Sequence, residues 1–441
     1  MKVCVNCLVA VLVVLALIPP ALAQTTGPAA TGATSASAPA SQPSYNIPAI
    51  AALAAPAPPL GEPTGNVVTV SSERELQRAL NAAADHMTIV IADGTYKLTG
   101  TLYIDHKEGL TVRSLSGRRG SVILDGQDKV EWIFDIRGGK DITIAGLNFQ
   151  NATRFGIRML GDSDVDGLHV SNCVFHNIWV RMIKGTHPAH PEDLGDYTNT
   201  PEYTQRIRPR NGSIRYCLFF NDHPKTNAND GFRGDYVSAM DLMMLKDWVI
   251  ADNVFVGIRG LRGGGRGAIF VWVGSEGVVT ERNVFFDCDR SIAYGNPSGD
   301  CPLHMTGGII RNNFIVAGSH GYSAIELART SGCQVYNNTV LCPRSNEPAI
   351  HIMQRTENDL VVNNILMGEA TQREGATYKS NYLEYRPELL VNPAIGDLHL
   401  KTGAAAVVGK GEVVPGLTDD FNGRPRQVPP TIGADEGSQG K

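Results

Sequence analysis

A lysine set among arginines and carboxylates can carry proton-transfer chemistry on an acidic substrate. This 441-residue chain holds such residues in its middle third: Arg158, Lys184, Arg233, Asp241 and Arg266. β-Elimination on a uronate needs a base for the C5 proton, kept neutral by nearby cations, and positive charge facing the sugar carboxylate to stabilise the enolate-like intermediate. Lys184 beside Arg158 suits the base, and Arg233 and Arg266 suit bidentate clamping of a carboxylate. Trp272 and Tyr236 offer faces for sugar stacking, with Arg290 and His187 as further binding candidates. Asp230, Asp235 and Asp241 are hard-oxygen donors of the kind Ca²⁺ takes, and no other cofactor is expected. The opposing reading is an ordinary ladder of exposed ion pairs. Residues this far apart in sequence form a site only if the fold is periodic.

A period is present. An apolar–Asn–apolar phrase recurs at Leu147-Asn148-Phe149, Asn172, Asn253, Asn283, Asn313, Asn338 and Asn364, with a degenerate copy at Tyr216. From Asn253 onward the copies are 25–30 residues apart, which signals one supersecondary unit stacked on itself. After each copy comes a short apolar alternation: Gly156-Ile157-Arg158-Met159, Met182-Ile183-Lys184-Gly185, Met240-Asp241-Leu242, Ala268-Ile269-Phe270-Val271, Ala324-Ile325-Glu326-Leu327 and Ala349-Ile350-His351-Ile352. Alternation of this kind marks half-buried strands. Asparagine tolerates the left-handed corner between strands, and its amide can bond the copies above and below. The expected fold is all-β, a single-stranded parallel β-helix.

The ends read differently. Leu8–Ile18 is apolar after Lys2, and Ala21-Leu22-Ala23 fits a cleavage site, so residues 1–23 are expected to be a signal peptide and the product secreted, periplasmic or in the cell envelope. No other stretch is apolar enough to suggest a membrane span. Residues 24–65, rich in Ala, Pro, Ser and Thr, read as a disordered linker. Ser72 with Glu75, followed by Leu76, Ala79 and Leu80, predicts an amphipathic capping helix ahead of a β-helix domain over 66–436, with 437–441 as a tail. A formal net charge of −5 argues against a nucleic-acid partner. Cys173 and Cys217 hold equivalent places in adjacent copies, as stacked buried thiols would, and Cys288 and Cys301 flank a loop and suit a disulfide.

The cap helix, Ala92-Asp93-Gly94-Thr95-Tyr96, the Asn-corner coils and the tail from Asn392-Pro393 through Asp420-Phe421-Asn422-Gly423-Arg424 to Ile432-Gly433-Ala434-Asp435-Glu436 resemble the right-handed parallel β-helix, pectate-lyase-like superfamily, in the manner of its secreted bacterial repeat proteins. The resemblance implies a right-handed coil over about residues 66–436 and a polysaccharide partner. Within that fold, pectin hydrolases use Asn-Thr-Asp, Asp-Asp, Gly-His-Gly and Arg-Ile-Lys, of which this chain has only Ser319-His320-Gly321 and a misplaced Asp419-Asp420. Family six polysaccharide lyases are similar in coil grammar and use a Lys base, an Arg and Ca²⁺ held by Asn and Glu; their full motif is not matched here.

Stacking such coils sets Arg158, Lys184, Asp241, Phe270, Ala293, Glu326 and His351 in one outward column, with Trp272 two positions further along. The longest insertions, 185–212, 222–236 and the glycine-rich 260–267, leave the same coils and would wall a groove. The leading expectation is a lyase for an acidic, uronate-containing glycan, acting as a monomer. A non-catalytic carbohydrate-binding or cell-envelope structural protein is the alternative. A glycoside hydrolase pairing Asp241 with Glu326 or Asp235 is the third.

Overall fold

The computed structural model describes residues 45–437 apart from 187–206, 224, 226–227, 298–302, 320, 344–347, 369 and 372–374. The described residues belong to one compact unit spanning 44–441. His187 and Cys301 therefore lie outside the described residues, while Cys288 is a free, buried thiol.

Each full coil contributes three short strands, as in Val165–Ser171, Val174–His176 and Arg181–Gly185. Equivalent strands of successive coils pair in parallel, giving three faces. The first face runs through Phe155–Met159, Arg181–Gly185, Ser238–Met243, Ile269–Trp272, Ile292–Tyr294, Ile325–Leu327 and Ile350–Ile352. The long strand Trp132–Ala145 joins it to the second face. The third face is a separate ten-stranded sheet. Parallel neighbours joined by crossovers of the usual hand make this a right-handed parallel β-helix.

The asparagine corner divides its work between two residues. Asn172, Tyr216, Asp252, Arg282, Asn312, Asn337 and Asn363 adopt the left-handed conformation, φ 50–61°. The residue after each builds the ladder: Asn253 Nδ2 donates to Asn283 Oδ1 (3.0 Å), Asn283 to Asn313 (3.0 Å), Asn313 to Asn338 (2.9 Å) and Asn338 to Asn364 (2.9 Å). Cys217 and Cys173 continue it: the Cys217 N–H donates to Asn253 Oδ1 at 2.9 Å, and the Cys173 N–H donates to Cys217 Sγ at 3.4 Å. Asn148 is not a corner residue; it lies on a third-face strand opposite Val174.

Inside the third face Phe149, Phe175, Phe219, Phe255 and Phe285 stack with centroids 4.7–4.8 Å apart and rings within 8° of parallel. The one-ring-per-coil spacing follows from the strand separation of about 4.8 Å. Phe219→Ala, at the centre, removes contacts on both sides and is expected to cost about 3–5 kcal/mol by chemical denaturation. A loss under about 1 kcal/mol would mean that neighbouring coils collapse into the gap.

The helix Glu73–Asn81 begins at Ser72, whose hydroxyl accepts from the Glu75 N–H, and buries Leu76, Ala79 and Leu80 on the first strands. The linker expectation for 24–65 needs correction at its C-terminal part. Ile47–Ala51 is a helix with Ile50 buried among Val174, Leu218, Val254 and Val284 on the outside of the third face. The Tyr45 hydroxyl donates to Asp287 Oδ2 at 2.6 Å. Composition averaged over Ala and Pro conceals Tyr45, Ile47, Ile50 and Leu53, which supply the apolar contact. Residues 386–437 cover the rest of this face, with Phe421 stacked on Phe314 at 3.8 Å. Among the described residues no helix is long and apolar enough to cross a membrane.

Candidate functional site

The first face carries the predicted column in the predicted order. Arg158 pairs with Lys184, Lys184 with Asp241, Asp241 with Phe270, Phe270 with Ala293, Ala293 with Glu326 and Glu326 with His351. One coil earlier, Asp135 stands opposite Arg158.

These side chains point out of the solenoid yet are hardly exposed: Asp135 0%, Asp241 2% and Glu326 3%. Burying a carboxylate without partners is costly, and each of these three is held between two cations. Asp135 accepts from Arg137 at 2.8 Å and from Arg158 at 2.6 Å. Asp241 Oδ2 accepts from Arg181 at 2.7 Å and Lys184 at 2.9 Å, while its Oδ1 accepts from the Trp272 indole at 3.0 Å. Glu326 faces Arg290 at 3.0 Å and Arg266 more loosely at 3.9 Å. The strip thus sets six cations against three carboxylates, a surplus of three positive charges.

Aromatic rings fix the cations further. Arg158 lies over Trp132 at 3.5 Å, Arg181 over Tyr236 at 3.7 Å, Arg137 over Tyr103 at 4.6 Å, and Arg266 and Arg290 over Phe270 and Tyr322 at 5.0 Å. Guanidiniums stacked in this way keep their N–H edges directed along the strip.

Burial pushes the Lys184 amine below its ordinary value; Asp241 pulls it back, and Arg181 and Arg154 push it down again. For Asp241, burial alone would raise the carboxyl, but Lys184 and Arg181 outweigh it and hold the group well below the usual carboxylate range. Arg266 is lowered to about 10, by burial first and then by Arg290.

The glycine-rich loop wraps two more carboxylates. Asp289 Oδ2 accepts from Gly260 N (2.7 Å) and Gly265 N (3.0 Å), and burial raises its carboxyl to about 6. A Cβ on Gly260 or Gly264 would lie 2.4 or 2.5 Å from the Asp235 oxygens, so a side chain at either position would displace the Asp235 carboxylate. The loop returns to the strip through Arg290 Nη1, which donates to Gly265 O at 3.2 Å.

Several expectations change here. The Ca²⁺ triad does not form: Asp241 is filled by Arg181, Lys184 and Trp272, and Asp230 takes Lys225 at 2.5 Å plus the N–H groups of Phe232, Gly234 and Tyr236. Asp235 accepts from Arg262 N at 2.9 Å beside the glycine loop. Among the described residues no three His, Cys, Asp or Glu side chains gather to hold a metal, so these aspartates do not fit Ca²⁺. The hydrolase pairing of Asp241 with Glu326 fails on geometry. Asp241 and Glu326 are three rungs apart, about 14 Å at the strand spacing, beyond the ~5–9.5 Å that glycosidase carboxylates span. Nor can Asp241, with its depressed pKa, serve as the acid. Arg233 is exposed on the loop that carries Tyr236 and makes no ion pair among the described residues. Trp272 spends its N–H on Asp241 and stacks on Phe270 at 5.0 Å, so it braces the strip rather than offering an open face.

Sequence reasoning missed Asp135 and Arg181. The alternation Ile133-Phe134-Asp135-Ile136, one coil before the first strand read, carried the signal for Asp135. Arg181 had none, because only the fold shows that its side chain turns onto Asp241 rather than to solvent.

The fold defines a right-handed parallel β-helix with a long, cation-rich first face. Solved structures similar to it include the alginate lyase from Paenibacillus sp. str. FPU-7, at 14% identity over 72% of this chain and 99% of that one, TM-score 0.47. The pectate lyase Pel9A is 13% identical over 85% of this chain and 97% of its own, TM-score 0.49. XylC, solved with xylose, is 11% identical over 83% and 98%, TM-score 0.46. No protein-family profile and no curated sequence matches the chain. Likeness this remote identifies neither substrate nor catalytic residues.

Proposed function

We propose that the first-face strip binds an acidic, uronate-containing polysaccharide and cleaves it by β-elimination, with Lys184 as the base. The observation that carries this reading is the surplus of positive charge, three with Lys184 protonated and two with it neutral, fixed by buried carboxylates and aromatic faces along one solenoid edge. A polyanion can use that surplus and a neutral polymer cannot. In the reaction the neutral Lys184 amine takes the C5 proton, the C4–C5 double bond forms as the C4–O bond breaks, and the departing O4 takes the proton back from the lysine. Arg158 and Arg266 flank the base along the strip and suit the sugar carboxylate, whose charge builds in the enolate-like state.

The second reading is a glycan-binding protein without catalysis, favoured by the 2.9 Å pairing of Lys184 with Asp241, which opposes a neutral amine. Incubation with alginate, pectate and chondroitin sulfate separates the two. Elimination is expected to give ultraviolet-absorbing unsaturated ends on at least one polymer; binding without such absorbance would leave only the second reading. Absence of binding to all three would sink both. The N-terminal pattern Leu8–Ile18 with Ala21-Leu22-Ala23 supports export, where such polymers are met.

A further inference from the structure

A recess of about 690 Å³ opens beside the strip and is chemically unlike it. Its walls include Asp128, Arg154, Trp179, Lys225, Asp230 and Tyr236. Tyr236 belongs to both places, since its ring carries the Arg181 guanidinium at 3.7 Å and also lines the recess.

Two features separate the recess from the strip. It has no surplus of positive charge, with two acids, Asp128 and Asp230, against two bases, Arg154 and Lys225. Lys225 and Asp230 neutralise each other at 2.5 Å with both side chains buried, and Arg154 pairs with Glu131 at 2.7 Å. A uronate gains nothing there that the strip does not offer better. The walls are also pre-formed. The Trp179 indole N–H donates to His223 O at 3.0 Å, and its ring rests on the His223 imidazole at 4.6 Å. Asp230 gathers three backbone N–H groups of the loop that ends at Tyr236.

We propose that this recess is a second carbohydrate position, one that takes a neutral sugar unit branching from the acidic chain on the strip. A fixed indole supplies the apolar face that sugar C–H groups pack on, and small polar groups around a floor without surplus positive charge supply hydroxyl partners. The volume lies within the range of small-ligand sites, about 300–1,000 Å³. That the unit is a branch of the strip's ligand rests on the acidic-glycan reading; that the recess binds neutral sugar does not.

The test titrates neutral disaccharides (cellobiose, mannobiose, xylobiose and galactobiose) and, separately, oligogalacturonate and oligoguluronate into the full chain, with calorimetry and indole nitrogen NMR. At least one neutral disaccharide is expected to bind at millimolar concentration and to shift the Trp179 indole signal. Trp179→Ala, and independently Thr153→Trp, which fills the recess from its exposed rim, are expected to weaken that binding at least tenfold. Arg266→Ala is expected to weaken uronate binding and leave the neutral sugar in place. No binding of any neutral disaccharide overturns the proposal, and so does binding that survives both recess variants. Loss of uronate binding alone counts against the strip and leaves the recess standing.

Discussion

Lys184→Met is expected to abolish unsaturated-product formation, lowering turnover by about 10²–10⁴, the usual contribution of a positioned base. Methionine is apolar and of similar length, so it fills the buried slot without adding a polar group. Asp241 keeps Arg181 at 2.7 Å and the Trp272 indole at 3.0 Å, so the clamp is not orphaned. Circular dichroism and the thermal midpoint should therefore stay near those of the parent. The pH dependence has a definite sign. Burial lowers the amine, and only its neutral form accepts the C5 proton, so rate should rise with pH through a pKa below the ordinary lysine value. A variant that keeps its turnover, or a parent whose rate falls as pH rises through that region, would remove Lys184 from the mechanism.

Asp241→Asn is the largest stability change expected. Arg181 is 1% exposed, Lys184 8%, and both lean on the same carboxylate oxygen. Removing it leaves two buried cations without a counter-charge, a loss of about 3–5 kcal/mol by analogy with broken buried pairs. The native Asp241 pKa lies below its unfolded value, so its contribution is present above the unfolded carboxylate range and is lost as pH falls through the native pKa. Urea denaturation of parent and variant at neutral and acid pH measures this: the gap should be wide at neutral pH and narrow in acid. The double variant Asp241→Asn with Lys184→Met should recover part of the loss, because one stranded charge goes with its partner. No recovery would mean that Arg181 alone bears the penalty.

The fold and the order of the strip were legible because both depend on period alone. Once Ile157, Ile183, Met240, Ile269 and Ile325 are known to point inward, the residue after each must point outward, and the strand pairings place them so. What the period does not encode is the distance an outward side chain travels. By period alone Asp241 reads as a metal ligand or a solvated acid, but it folds down between Arg181 and Lys184. Asp230, three further residues of its loop and Lys225 form a knot whose closure depends on loop conformation, not spacing. The same limit explains Asn172 and Tyr216. Both read as ladder positions, yet the left-handed turn and the ladder fall on neighbouring residues, so Cys173 and Cys217 hold the rungs. The break in the asparagine pattern is thus a change of rung chemistry, from amide to thiol, with the corner kept.

The docked segment around Ile50 has a bearing on orientation. Tyr45 is pinned to Asp287 at the third face, whereas Lys184 and its neighbours occupy the first. Tyr45 and Ile50 thus rest on a face that the strip does not share. The segment therefore shields apolar surface of the third face and leaves the charged edge of the first uncovered by it.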